Sequence, residues 1–104
     1  MSALRFDDLD VLLPELAEYV AIPSVSRSAS IETMRQAATW VAARLAFADA
    51  RVEETGGFPV VRADWLGAPG APTVLVYGHY DVQPTGSREE WRTCLLYTSP
   101  SPRD

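Results

Sequence analysis

The sequence contains no lysine, a single histidine and a single cysteine among its 104 residues. Its nine basic residues are all arginines, and a net charge of −5 gives no support to nucleic-acid binding. One cysteine excludes an internal disulfide framework. No apolar run reaches the length of a membrane span, and the first residues lack the basic-then-apolar order of a signal peptide. We therefore expect a cytoplasmic protein that binds neither nucleic acid nor membrane.

The first half of the chain predicts two helices. Residues 5–22 carry apolar side chains at helical spacing, but Pro14 is tolerated best in a first turn, so we expect the regular helix to begin near Leu12. Pro23 should end this helix, because the residue before a proline is disfavoured in helical conformation.

Arginine in place of lysine, together with abundant alanine, is typical of GC-rich coding sequences and indicates a bacterial source.

The second predicted helix runs from Ile31 to Ala48, with Ser30 as its N-cap. One side of this helix is apolar, and such a side is usually packed on the core rather than against a partner. We therefore expect the following residues to face the core: Ile31, Met34, Ala38, Val41, Leu45 and Ala48.

Strand-forming residues dominate the second half. Residues 51–55 predict a short edge strand, and residues 59–66 predict a second strand. The Gly/Pro-rich residues 67–72 predict a turn that joins the second strand, as an antiparallel pair, to residues 73–78. The run from Thr73 to Tyr77 is typical of a strand buried on both faces. The order of helices and strands is that of an α/β protein.

The histidine, His79, follows this last run, and Asp81 lies two residues further on. In extended backbone, side chains at this spacing point to the same side. A neutral imidazole is a common zinc ligand, and a carboxylate can accept the hydrogen bond of its second nitrogen. On spacing alone, the simpler interpretation is a histidine at the rim of a sheet, hydrogen-bonded to a neighbouring aspartate.

The complete string TVLVYGHYDVQP resembles the metal-site segment of the carnosinase-like metallodipeptidases, which are dinuclear zinc exopeptidases. The segment IPSVS after the first helix and Trp91 after the motif also match that group. The resemblance implies that His79 is a ligand of one zinc ion and that Asp81 is the catalytic-site aspartate. It also implies the truncated N-terminal part of an α/β catalytic domain, with two helices followed by two or three strands of a mixed sheet.

By this resemblance, the intact protein hydrolyses the amide bond of dipeptides or small peptides with two zinc ions, as a dipeptidase or carboxypeptidase, and it could form a homodimer. The general base and the other ligands lie downstream in that group. Because a catalytic zinc takes three protein ligands, we expect the 104-residue chain alone to be inactive. The alternatives are an N-acyl amino acid deacylase of the same superfamily and a non-catalytic α/β binding module.

Residues 94–104, CLLYTSPSPRD, resemble no segment of that group. They are similar to the translation of a transposon-end adapter used in sequencing libraries. We therefore expect residues 1–93 to form part of a metallopeptidase catalytic domain and residues 94–104 to be a non-native, disordered tail. In that case Cys94 carries no information about redox chemistry or metal binding. The alternative is a genuine tail rich in proline and serine.

Overall fold

The computed structural model describes residues 9–90. Within them the chain divides into two units, Ser24–Gln83 and the flanking residues 9–23 together with 84–90. The described residues form two α-helices, a two-stranded sheet and two short 3-10 turns, which agrees with the predicted α/β class. Trp91 and the predicted tail lie outside the described residues.

Helix α1 spans Leu9–Val20 and contains Pro14 in its interior. The expectation that the regular helix begins near Leu12 is therefore wrong. Because proline has no N–H, α1 lacks the hydrogen bond that residue 14 would otherwise donate to the carbonyl of Asp10. The helix ends ahead of Pro23, as predicted. None of its side chains is buried.

Helix α2 spans Ile31–Arg44 and begins at the predicted residue. The Ser30 hydroxyl caps it by accepting a 3.1 Å hydrogen bond from the backbone N–H of Thr33. The predicted continuation to residue 48 is wrong, because a separate 3-10 turn, Ala46–Ala48, follows the helix. Asp49 then adopts a left-handed conformation with φ of 53°, which ends the helical segment.

The small core is formed by one side of α2, which packs against both strands. Met34 and Ala38 are fully buried, as the apolar pattern predicts, and Ala37 is buried beside them. Ala48 is also buried, whereas Ile31 at the start of the helix is 47% exposed. The predicted core-facing side of α2 is thus confirmed in its centre and fails at its first residue.

The sheet is an antiparallel hairpin of β1, Arg51–Glu53, and β2, Val60–Arg62. The turn between them is closed by Thr55, whose hydroxyl donates a 2.7 Å hydrogen bond to the carbonyl of Phe58. Gly56 supplies the positive φ of 91° that this turn requires. The two predicted strands are therefore present but short, and they pair with each other.

The predicted third strand, residues 73–78, is not formed. The side chains from Val74 to Tyr77 are 80–91% exposed, so the prediction of a strand buried on both faces is wrong. The predicted turn before this run is present, since Ala71 N–H donates to the Ala68 carbonyl at 3.1 Å. Residues 73–78 do not pair with the strand that precedes this turn. A strand needs a neighbouring strand to complete its backbone hydrogen bonds, and no strand within residues 9–90 lies beside this run.

An ion pair connects α2 to the end of β1. The guanidinium of Arg35 donates two hydrogen bonds to the carboxylate of Glu54, from Nε at 3.1 Å and from Nη2 at 3.0 Å. This two-point geometry is the stronger form of an arginine–carboxylate contact. The hydrogen bond from Arg35 is also the main cause that lowers the pKa of Glu54.

Candidate metal-binding site

One backbone contact brings together two segments that are distant in sequence. Val25 and Val82 form an isolated parallel bridge. Within it, the Val82 N–H donates a 3.0 Å hydrogen bond to the carbonyl of Ser24, which is itself buried. The bridge places residues 24–26 beside residues 79–82, and this pairing positions the side chains described next.

His79 and Asp81 are hydrogen-bonded, with 2.8 Å between Nδ1 of the imidazole and Oδ1 of the carboxylate. An ionised carboxylate can only accept hydrogen bonds, so the proton in this contact lies on Nδ1. In a neutral ring the lone pair is then on Nε2, which is the atom available to a metal ion. The His79 side chain is 76% exposed and that of Asp81 is 28% exposed, so the ring faces solvent while the carboxylate is partly covered.

Ser26 contacts the other oxygen of the same carboxylate. Its hydroxyl donates a hydrogen bond to Oδ2 of Asp81 at 2.5 Å. The bond from Ser26 is the largest cause that lowers the pKa of Asp81, followed by the bond from His79. Asp81 therefore remains ionised as an acceptor for both donors. Ser26 was not among the predicted site residues, and its contact joins positions 55 residues apart, so no local pattern could have indicated it.

Tyr80, between the two site residues, anchors this segment to the hairpin. Its hydroxyl donates a 2.6 Å hydrogen bond to the carbonyl of Pro59, a buried residue immediately before β2. Burial is the main cause that raises the pKa of the Tyr80 phenol, and the nearby carboxylate of Asp81 raises it further. The segment is thus held at two points, by the Tyr80 side chain and by the Val82 backbone.

The described residues provide one candidate ligand for a metal ion and not a complete metal site. The exposed ring, with Nδ1 held by a carboxylate, has the arrangement usual for a metal-bound histidine. No group of three histidine, cysteine, aspartate or glutamate side chains that could hold a metal occurs within residues 9–90. A surface depression of about 390 Å³ is lined by Trp65, Leu66 and residues 68–74, and it includes neither His79 nor Asp81.

Comparison with known proteins relates the chain to a metallopeptidase. The chain is 33% identical to the Cys-Gly metallodipeptidase DUG1 of Candida albicans over 111 aligned positions, which take in 85% of this chain and 22% of that protein. No family model matches the sequence, and no solved structure matches it. The similarity supports a relation to the metallopeptidases, which are hydrolases that depend on a metal.

The match covers only part of the relative, since the chain spans 22% of its length. Because that relative is a dipeptidase, the comparison does not favour the deacylase or the binding-module alternative. The individual roles predicted for His79 and Asp81 stay predictions. Among the described residues, no helix is both long enough and apolar enough to cross a membrane.

Proposed function

We propose that this chain is the N-terminal part of a zinc-dependent dipeptidase whose intact form hydrolyses the amide bond of dipeptides or small peptides. The observation that carries the proposal is the hydrogen bond from Nδ1 of His79 to Asp81, which leaves Nε2 as the other nitrogen of a side chain that is 76% exposed. The distant similarity to a Cys-Gly metallodipeptidase supports the same reaction class.

In this proposal His79 binds one metal ion through Nε2, and Asp81 fixes the ring in the tautomer that metal binding requires. Imidazole is a preferred ligand of zinc, which is why we propose zinc as the metal. When bound, the metal pair would polarise the substrate carbonyl and lower the pKa of a bound water. The chain's own contribution is to hold a partly covered, ionised carboxylate behind an exposed ring.

The chain alone should be inactive. A catalytic zinc normally takes three protein ligands, and the described residues offer one histidine without two further donors nearby. We propose that the remaining ligands and the general base lie in a longer protein, as the relative is, of whose length this chain spans 22%. Incubation of the 104-residue chain with zinc and Cys-Gly should therefore release no free glycine above background, and measurable turnover would refute this account.

We also propose that residues 94–104 are the translation of a sequencing adapter and that the native reading frame diverges after Thr93. The locus should be recovered from a library prepared with different adapters. We expect the frame to continue with a glycine-rich segment that carries paired aspartates and then paired glutamates. Persistence of CLLYTSPSPRD in the same frame would show that the tail is genuine.

The full-length product of that frame provides the test of function. We expect it to release glycine from Cys-Gly in the presence of zinc and to lose at least about 100-fold of its activity on His79→Ala, since even partners behind a ligand contribute 10- to 100-fold. The control is Gln36→Ala, an exposed position on α2. Unchanged activity and zinc content in His79→Ala would refute the ligand role.

Substrate assays with the same full-length protein distinguish a peptidase from a deacylase. Turnover of N-acetyl amino acids without turnover of free dipeptides would assign it to the deacylases. If neither substrate is cleaved and zinc does not bind, the binding-module alternative would stand.

A further inference from the structure

We propose that Ser26 is a positioning residue, which holds the Asp81 carboxylate so that its other oxygen fixes the proton on Nδ1 of His79 and leaves Nε2 free for a divalent cation. The relevance of this contact to a metal rests on the function proposed above. The arrangement of the Ser26, Asp81 and His79 side chains is independent of that function.

The geometry supports a connected chain of contacts. Ser26 Oγ donates to Oδ2 of Asp81, and Oδ1 of the same group accepts the bond from His79 at 2.8 Å. Each carboxylate oxygen therefore has its own donor. Without the hydroxyl, the carboxylate would lose the contact that sets its rotation, and terminal rotation of an aspartate side chain is otherwise broad.

Ser26 is itself held in place. It follows Val25, which forms the parallel bridge with Val82, so the backbone on both sides of the contact is fixed by the same pairing. Ser26 and Asp81 are both partly buried, which protects their hydrogen bond from competition with water. The hydroxyl thus acts on an exposed ring through a carboxylate that solvent reaches only in part.

A single histidine makes the inference directly measurable. Labelling the 104-residue chain with ¹⁵N-histidine gives the ring signals of His79 alone. The spectrum is recorded without metal at pH 9. In the wild type we expect Nδ1 to resonate as a protonated nitrogen and Nε2 as an unprotonated one.

The decisive variants are Ser26→Thr and Ser26→Val, which have the same shape and differ in the hydroxyl. We expect Ser26→Thr to keep the wild-type tautomer. In Ser26→Val the two ring resonances should move toward each other as the Nε2–H tautomer becomes populated. The control is Ser28→Ala, an exposed neighbour, which should leave the ring signals unchanged. Equal spectra for the threonine and valine variants would overturn the proposal.

Circular dichroism of each variant shows whether it is folded. If Ser26→Val is unfolded, Ser26→Ala takes its place, because it leaves no hydrogen-bond donor in the side chain at this position. An alanine variant with the wild-type tautomer would also overturn the proposal.

The metal readout uses the full-length protein. We expect its zinc affinity to fall roughly 10- to 100-fold in Ser26→Val and to stay near wild type in Ser26→Thr. A tautomer change in the short chain without zinc binding by the full-length protein would refute the proposed function and leave the positioning role intact. Zinc binding that depends on His79 but is equal in the two Ser26 variants would refute the positioning role alone.

Discussion

Replacing Tyr80 by phenylalanine removes one hydroxyl and leaves the ring in place. That hydroxyl donates a 2.6 Å hydrogen bond to the carbonyl of Pro59, which lies in a buried residue. Loss of one partner of such a bond costs about 1–3 kcal/mol, because the other partner is left in a poorly hydrated environment. We therefore expect Tyr80→Phe to lower the free energy of unfolding of the chain by about 1.5 kcal/mol.

Urea denaturation followed by tryptophan fluorescence measures this change. With a denaturant slope of about 1.5 kcal/mol/M, in the range of small proteins, the unfolding midpoint should fall by about 1 M. Tyr77→Phe is the matched control, because the Tyr77 side chain is 88% exposed and its hydroxyl is available to water. The same midpoint in the two variants would show that the Tyr80 contact does not anchor the segment.

Three further predictions concern the turn after α2, the ion pair and the exposed run. Asp49 has a φ of 53°, so Asp49→Ala should cost about 1 kcal/mol of stability in thermal unfolding, while Asp49→Gly should cost nothing. The hydrogen bond from Arg35 lowers the pKa of Glu54. The ion pair therefore stabilises the folded chain above the ordinary glutamate pKa, and this stabilisation is lost as the pH falls through the lowered pKa of Glu54. Acid unfolding should therefore be less steep in Glu54→Gln. Val76 is 86% exposed within an apolar, β-branched run, so Val76→Lys should reduce self-association seen by light scattering, whereas Thr73→Lys should do so less.

Each of these predictions has an outcome that contradicts it. Equal stability of the alanine and glycine variants at position 49 would mean that the left-handed conformation carries no cost. An unchanged acid transition in Glu54→Gln would mean that the ion pair does not contribute to stability. Equal light scattering from Val76→Lys and wild type would mean that the apolar run does not associate.

The features that were predicted correctly depend on neighbours in sequence. The Ser30 cap requires only Thr33, three residues later, and the contact between His79 and Asp81 requires only a spacing of two. Both follow from local backbone geometry and the chemistry of the side chains. The start of α2 and the imidazole–carboxylate contact were therefore accessible from sequence alone.

One missed feature is local, since two strands joined by Gly56-Gly57 could have been recognised as a hairpin from paired glycines between strand-forming runs. The other missed features depend on pairing across the chain. The apolar run after Pro72 was assigned to a buried strand from its composition, but composition does not provide the neighbour that a strand requires. The contact of Ser26 with Asp81 depends on the bridge at Val82 and has no signature within either segment.

That bridge has a consequence for the time over which the three side chains stay aligned. It includes one well-formed backbone hydrogen bond, from the Val82 N–H to the Ser24 carbonyl at 3.0 Å. A slip of one residue in this pairing would turn Asp81 to the opposite face and separate it from Ser26. The rate at which the Val82 amide exchanges with deuterated water therefore reports how often this pairing opens and releases Asp81 from Ser26.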